Sequence, residues 1–192
     1  MKLARQYHLE RSPLGSKRVN FIARRGSWHG CTLGTLSLGD FKPRKALFEP
    51  LLHDNVSHVS PCHPYRDLRT GESNEQYIAR LLQELEDEFQ RLGPDTVVAF
   101  VVEPMVGTVS FTFNDSVSQM LNVNQALGCV TALPGYLRAV KEVCQRHGAL
   151  LIFDEVMCGL GRTGTLHSWE QEVSTPTKLP PNCLVFSCYS TR

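Results

Sequence analysis

No stretch of this sequence is apolar for long enough to cross a bilayer. The longest runs, Val97–Val102 and Ala149–Phe153, are a fraction of the roughly 20 residues a spanning helix needs. No secretory leader is expected either, since Met1-Lys2-Leu3-Ala4-Arg5 leads straight into polar residues. Neither sign of charge dominates: 20 Lys and Arg stand against 19 Asp and Glu, and the basic residues form no long block. Nucleic acid and membrane surfaces are therefore not expected partners. The seven cysteines are an odd number with no Cys-x-x-Cys spacing, which argues against a disulfide scaffold. Reduced thiols in a cytoplasmic protein are the expectation. Cys62-His63 comes nearest to a metal pair, but no further ligands stand at usable spacing, so no metal is expected.

What is present suits a soluble domain with a sizeable core: 192 residues, 42% of them hydrophobic. Met1 to His8 reads as part of a helix and Val19 to Arg24 as a short strand. A loop over Gly26-Ser27-Trp28-His29-Gly30 and a short helix from Thr32 to Leu38 follow. Pro43, Pro50, Pro61 and Pro64 predict irregular structure over residues 40–72. Ser73 to Leu92 is the strongest helix. Ser73 and Gln76 have capping-box spacing, Ile78, Leu81, Leu82, Leu85, Phe89 and Leu92 form one stripe, and Gly93-Pro94 stops it.

Val97 to Glu103 and Ala149 to Asp154 are continuous apolar strands. Between them lies a helix expected to start at Pro134, with Leu137, Val140 and Cys144 on its buried face. Strand, helix, strand of this kind predicts a parallel pair joined by a right-handed crossover. Glu103 and Asp154 then share the C-terminal edge of the sheet, where open α/β sheets bind ligands. Residues 108–127 carry a single charge and no clear period, and stand out as an atypical insert.

Several motifs allow more than one reading. Gly159-x-Gly161-x-x-Gly164 matches the dinucleotide fingerprint literally. Asp154 to Cys158 separate it from the strand, however, and no acidic residue follows beyond Glu172. A nicotinamide-dependent oxidoreductase is thus the weaker alternative. Singly, Asp154 and Glu103 read equally well as strand-end carboxylates that satisfy backbone donors. Trp28-His29 reads as a core aromatic beside a surface histidine, and Arg162 as a partner of Glu155 or Glu170.

Taken in order, the pieces resemble one family. Ser27-Trp28-His29-Gly30, then Val102-Glu103-Pro104-Met105-Val106-Gly107, then Pro134-Gly135-Tyr136-Leu137 through Gly148 to Gly164 are similar to the class-III aminotransferases. These enzymes use pyridoxal 5'-phosphate on the fold-type I scaffold. The last block is specific and the other two are weak singly. The likeness covers most of residues 1–39 and 96–182, outside 108–127. It implies an α/β fold: a partial, mostly parallel sheet with helices on both faces, cut from the large domain and truncated at both ends. Lys2-Leu3-Ala4-Arg5 then matches the helix after the phosphate-binding turn.

By the same resemblance, Asp154 holds the protonated pyridine nitrogen, which keeps the ring an electron sink. Val156 packs on one ring face and Trp28 stacks on the other, where the family often has Tyr or Phe. His29 shapes the loop, and Glu103 stands near the cofactor or substrate. The substrates implied are an amine or amino acid and a 2-oxo acid, and whole members are homodimers.

The likeness also exposes gaps. The family's Schiff-base lysine follows a Pro-Pro-Asp-like turn, whereas the last lysine here, Lys178, precedes Pro180-Pro181-Asn182. Residues 183–192 contain no lysine and read as an atypical tail. Met1 falls after the phosphate turn. The expectations are a chain that does not transaminate alone, poor solubility, and an origin of 108–127 and 183–192 in intron read as exon. A degenerate, non-catalytic cofactor-binding homologue remains the alternative from another class.

Overall fold

A computed structural model describes residues 1–12, 15–107 and 130–171, together with the backbone of Cys183–Phe186. The insert at 108–127, Lys178, the Pro180-Pro181-Asn182 turn and Ser187–Arg192 lie outside the described residues.

Five parallel strands form one sheet in the order β2-β1-β3-β6-β7. They are β1 (Asn20–Arg24), β2 (Val56–Val59), β3 (Val97–Val102), β6 (Leu150–Asp154) and β7 (Cys183–Phe186). β4 (Met105–Val106) and β5 (Val130–Thr131) pair separately and antiparallel. The helices are α1 (Lys2–Glu10), α2 (Leu33–Leu38), α3 (Lys42–Lys45), α4 (Pro64–Asp67), α5 (Asn74–Leu92) and α6 (Tyr136–Arg146).

Every residue of β3 is buried, as a central strand covered on both faces requires. Ile22, Phe100, Val102, Leu151 and Phe153 face α5 and α6 through Leu81, Leu85, Phe89, Leu137 and Val140. Phe21, Ala23, Val98, Leu150 and Ile152 pack on the opposite side with Ala4 of α1 and Leu38 of α2. The period-2 alternation along β1 and β6 thus feeds two cores, one on each side of the sheet.

α5 carries the full capping box. The Ser73 side chain accepts from the Gln76 backbone amide, and the Gln76 side chain accepts from the Ser73 amide. α6 begins at Tyr136 behind Gly135, whose φ of +87° puts it in the left-handed region. Pro134 therefore sits just before the cap rather than in the first turn.

The expectation of irregular structure over 40–72 is corrected: the prolines leave only short elements, α3, a 3₁₀ helix at Ala46–Leu51 and α4, and a strand is also present. β2 forms there and pairs with β1 from Phe21↔Val56 to Arg24↔Val59. Its pattern was too short to see in the sequence, with only Val59 of its four residues fully buried. β7 continues the sheet beyond β6, with Phe186 opposite Asp154.

Candidate active site

The parallel connectivity brings three chain segments to one edge of the sheet. Arg24 ends β1 and leads into the loop 25–32, Glu103 follows β3, and Asp154 ends β6. A cavity of about 430 Å³ opens at this edge, lined by Trp28, His29, Gly30, Glu103, Gly107, Asp154, Val156 and Met157. That volume lies within the range of small-molecule sites. All five residues singled out in the sequence (Trp28, His29, Glu103, Asp154 and Val156) stand around it.

Asp154 uses both carboxylate oxygens. Oδ2 accepts from His29 Nδ1 at 2.8 Å, and Oδ1 accepts from the Val156 amide at 3.2 Å. The bond fixes the histidine with its proton on Nδ1, because a carboxylate only accepts. His29 Nε2 is buried with no hydrogen-bond partner among the described residues. Asp154 is thus oriented from two sides yet still borders the cavity.

Glu103 is only 5% exposed. Its Oε1 accepts from the Trp28 amide at 3.4 Å and its Oε2 from the Gly107 amide at 3.2 Å. Burial pushes its carboxyl above the usual carboxylate range and the charge of Asp154 adds to this. Arg24, His29 and the Gly107 amide pull the other way. Trp28 stacks under the Arg44 guanidinium, 4.5 Å from its ring. Val156 is 55% exposed, an apolar side chain left open on the cavity wall.

Two glycines shape the walls. At Gly30, φ is +125° and a Cβ would come within 2.8 Å of Thr35 Oγ1. A Cβ on Gly107 would come within 3.0 Å of Met157 Cγ. Gly107 and Met157 were not singled out as site residues. The Glu-Pro-x-x-Gly spacing was the available signal for Gly107, whereas nothing local marks Met157.

Two sequence alternatives are corrected here. Residues 155–167 form turns and are followed by a short 3₁₀ helix at Ser168–Gln171. The glycine-rich run therefore opens no α-helix, as a dinucleotide fingerprint must. Glu155 is not a partner for Arg162. Its buried carboxylate accepts from His167 Nδ1 at 3.0 Å and the Trp169 amide at 2.9 Å. The side chain of Glu170 accepts from the His167 amide.

A family model described as aminotransferase class-III matches residues 1–181. An aminotransferase of Gibberella zeae is 48% identical over 177 residues, covering 92% of this chain and 31% of the relative. An uncharacterized aminotransferase of Schizosaccharomyces pombe is 45% identical over 160 residues, covering 83% of this chain and 31% of the relative. The PMP-bound aminotransferase structure from Vibrio fluvialis superimposes with a TM-score of 0.71 at 28% identity, over 91% of this chain and 34% of that one. The chain thus spans about a third of the length of these proteins.

Proposed function

Since the chain belongs to the class-III aminotransferase family, we propose that the cavity at the C-terminal sheet edge holds the ring of pyridoxal 5'-phosphate. The proposed reaction is transamination: transfer of an amino group from an amine or amino acid to a 2-oxo acid. The parallel sheet with helices is the α/β arrangement of fold type I, in keeping with the transaminase structures it resembles. The observation that carries the reading is the convergence of Trp28, His29, Glu103, Asp154 and Val156 on one cavity.

The residues fit the coenzyme ring. A carboxylate held from two sides suits a protonated ring nitrogen, and apolar or aromatic walls suit a flat ring. When bound, pyridoxal phosphate supplies an electron sink for the electrons left on the substrate carbon as its hydrogen leaves. Asp154 would hold the proton at the pyridine nitrogen. His29 would keep the Asp154 carboxylate aimed through its Nδ1–H bond. Trp28 and Val156 would cover the two ring faces and exclude water. Glu103 would meet the cationic end of a substrate or of a substrate-gripping arginine. No described residue is assigned as the lysine that carries the coenzyme.

We further propose a homodimer in the cytosol. Leu47 and Tyr65, 87% and 92% exposed, and the exposed Phe48 and Leu51 are apolar side chains that a second copy would cover. Cys31, Cys62, Cys144 and Cys158 form no disulfide among the described residues, in keeping with a reducing compartment.

Titrating pyridoxal phosphate against the fluorescence of Trp28 tests the reading, with NADH as control. Saturable quenching by the coenzyme but not by NADH is expected. Asp154→Asn should weaken coenzyme binding about ten- to a hundredfold, the worth of one charge-assisted hydrogen bond. Equal quenching in the variant would refute the role of Asp154.

A further inference from the structure

Arg24 does not line the coenzyme cavity, yet among the described residues it is the bulkiest fully buried side chain, at 1% exposure. Its Nη2 donates to the main-chain oxygen of Glu103 at 2.5 Å. Its Nη1 is buried without a hydrogen-bond partner, and no carboxylate among the described residues pairs with it at ion-pair distance. A guanidinium taken out of water with one neutral acceptor is costly, and such a charge persists where the surroundings use it. Its nearest use is the residue whose backbone it holds.

We propose that Arg24 is a positioning residue for Glu103: it pins the chain at the end of β3 through the Glu103 main-chain oxygen and sets its buried positive charge against the Glu103 carboxylate. The proposal rests on reading Glu103 as a carboxylate of the coenzyme cavity.

The groups facing Glu103 define the balance. Arg24 comes from β1, the Trp28 amide and His29 from the following loop, the Gly107 amide from the end of β4, and Asp154 from β6. Arg24 is the permanent cation of this set, and it is the largest influence opposing the burial of Glu103. The same charge also acts on the buried hydroxyl of Tyr136 at the start of α6. An ionised Glu103 draws an ammonium or guanidinium into the cavity, and a neutral one does not.

The test is a carboxyl and guanidinium NMR titration of the chain and its Arg24→Gln and Arg24→Lys variants. In the wild type, the Glu103 carboxyl carbon and the Arg24 Nε should move with one shared midpoint. Arg24→Gln should raise the Glu103 midpoint by about one pH unit or more, as loss of a close opposite charge does. Arg24→Lys should bring it most of the way back, which a purely structural role would not do. An unchanged midpoint in folded Arg24→Gln would overturn the proposal. Should that variant not fold, an Arg24 resonance blind to the Glu103 titration in the wild type would overturn it equally. Trp28 quenching by pyridoxal phosphate is read in parallel. Its absence in the wild type would sink the coenzyme reading while the NMR midpoints still decide the Arg24–Glu103 coupling.

Discussion

Glu103 owes its chemistry to neighbours that are distant in sequence: Arg24, His29 and Asp154. Its folded-state pKa lies above the ordinary 4.5, so the proton is held more tightly in the folded chain. The stabilisation this gives is complete below the unfolded value and is lost as pH rises through the raised value. Glu103→Gln cannot ionise, so the wild type should lose stability relative to it as pH rises above about 4.5. Urea midpoints at several pH values check this, and a difference that stays flat would contradict it. Glu155 poses a sharper demand, because its buried carboxylate satisfies His167 Nδ1 and the Trp169 amide together. Glu155→Ala leaves both donors unpaired and should cost about 3 kcal/mol in urea denaturation. At this scale the sequence was informative where chemistry is local. Trp28-His29-Gly30, Glu103-Pro104 and Asp154-Glu155-Val156 each stand in a short motif that can be read directly. Arg24, Arg44 and Met157 gain their places only through long-range contacts, and no spacing along the chain marks them.

The elements divide in the same way. α5 announced itself through its capping box, its stripe and Gly93, all within one window of sequence. Ser73→Ala should destabilise the chain by about 1 kcal/mol, read from the shift of its urea midpoint. β3 and β6 were equally legible because strands buried on both faces need an unbroken apolar run. β2 was not, since only Val59 of its four residues is fully buried and its pairing with β1 decides its conformation. It carries His58, whose Nε2–H donates to the Leu38 carbonyl and whose pKa burial pushes below 6.5. His8 of α1 is held to the Val98 carbonyl and is lowered by burial in the same sense. Both histidines fold neutral, so their contribution is present above about pH 6.5 and is lost as pH falls through their lowered values. His58→Gln should flatten the acid limb of the stability profile. An unchanged limb would show that this histidine titrates alike in the folded and unfolded chain.

On the scale of the whole molecule, the sheet order places the ends of β1, β3 and β6 side by side, and that adjacency creates the cavity. Topology of this kind could be anticipated for β3 and β6 from the crossover, and with it the shared edge of Glu103 and Asp154. The exposure of Leu47, Phe48, Leu51 and Tyr65 could not be read residue by residue, because it depends on what packs over each side chain. No described helix is long and apolar enough to cross a membrane. Sedimentation should show a concentration-dependent dimer, and Leu47→Glu with Leu51→Glu should shift it toward monomer. Sedimentation unaffected by both charges would place any interface elsewhere.

Asp154 is proposed to meet the ring nitrogen of the coenzyme. The most direct measurement is the NMR signal of pyridoxal phosphate labelled with nitrogen-15 in its ring, bound to the chain at neutral pH. A protonated ring nitrogen is expected in the wild type, with loss of that protonation in Asp154→Asn. A ring nitrogen with the same shift in both, or one unprotonated in the wild type, would contradict it.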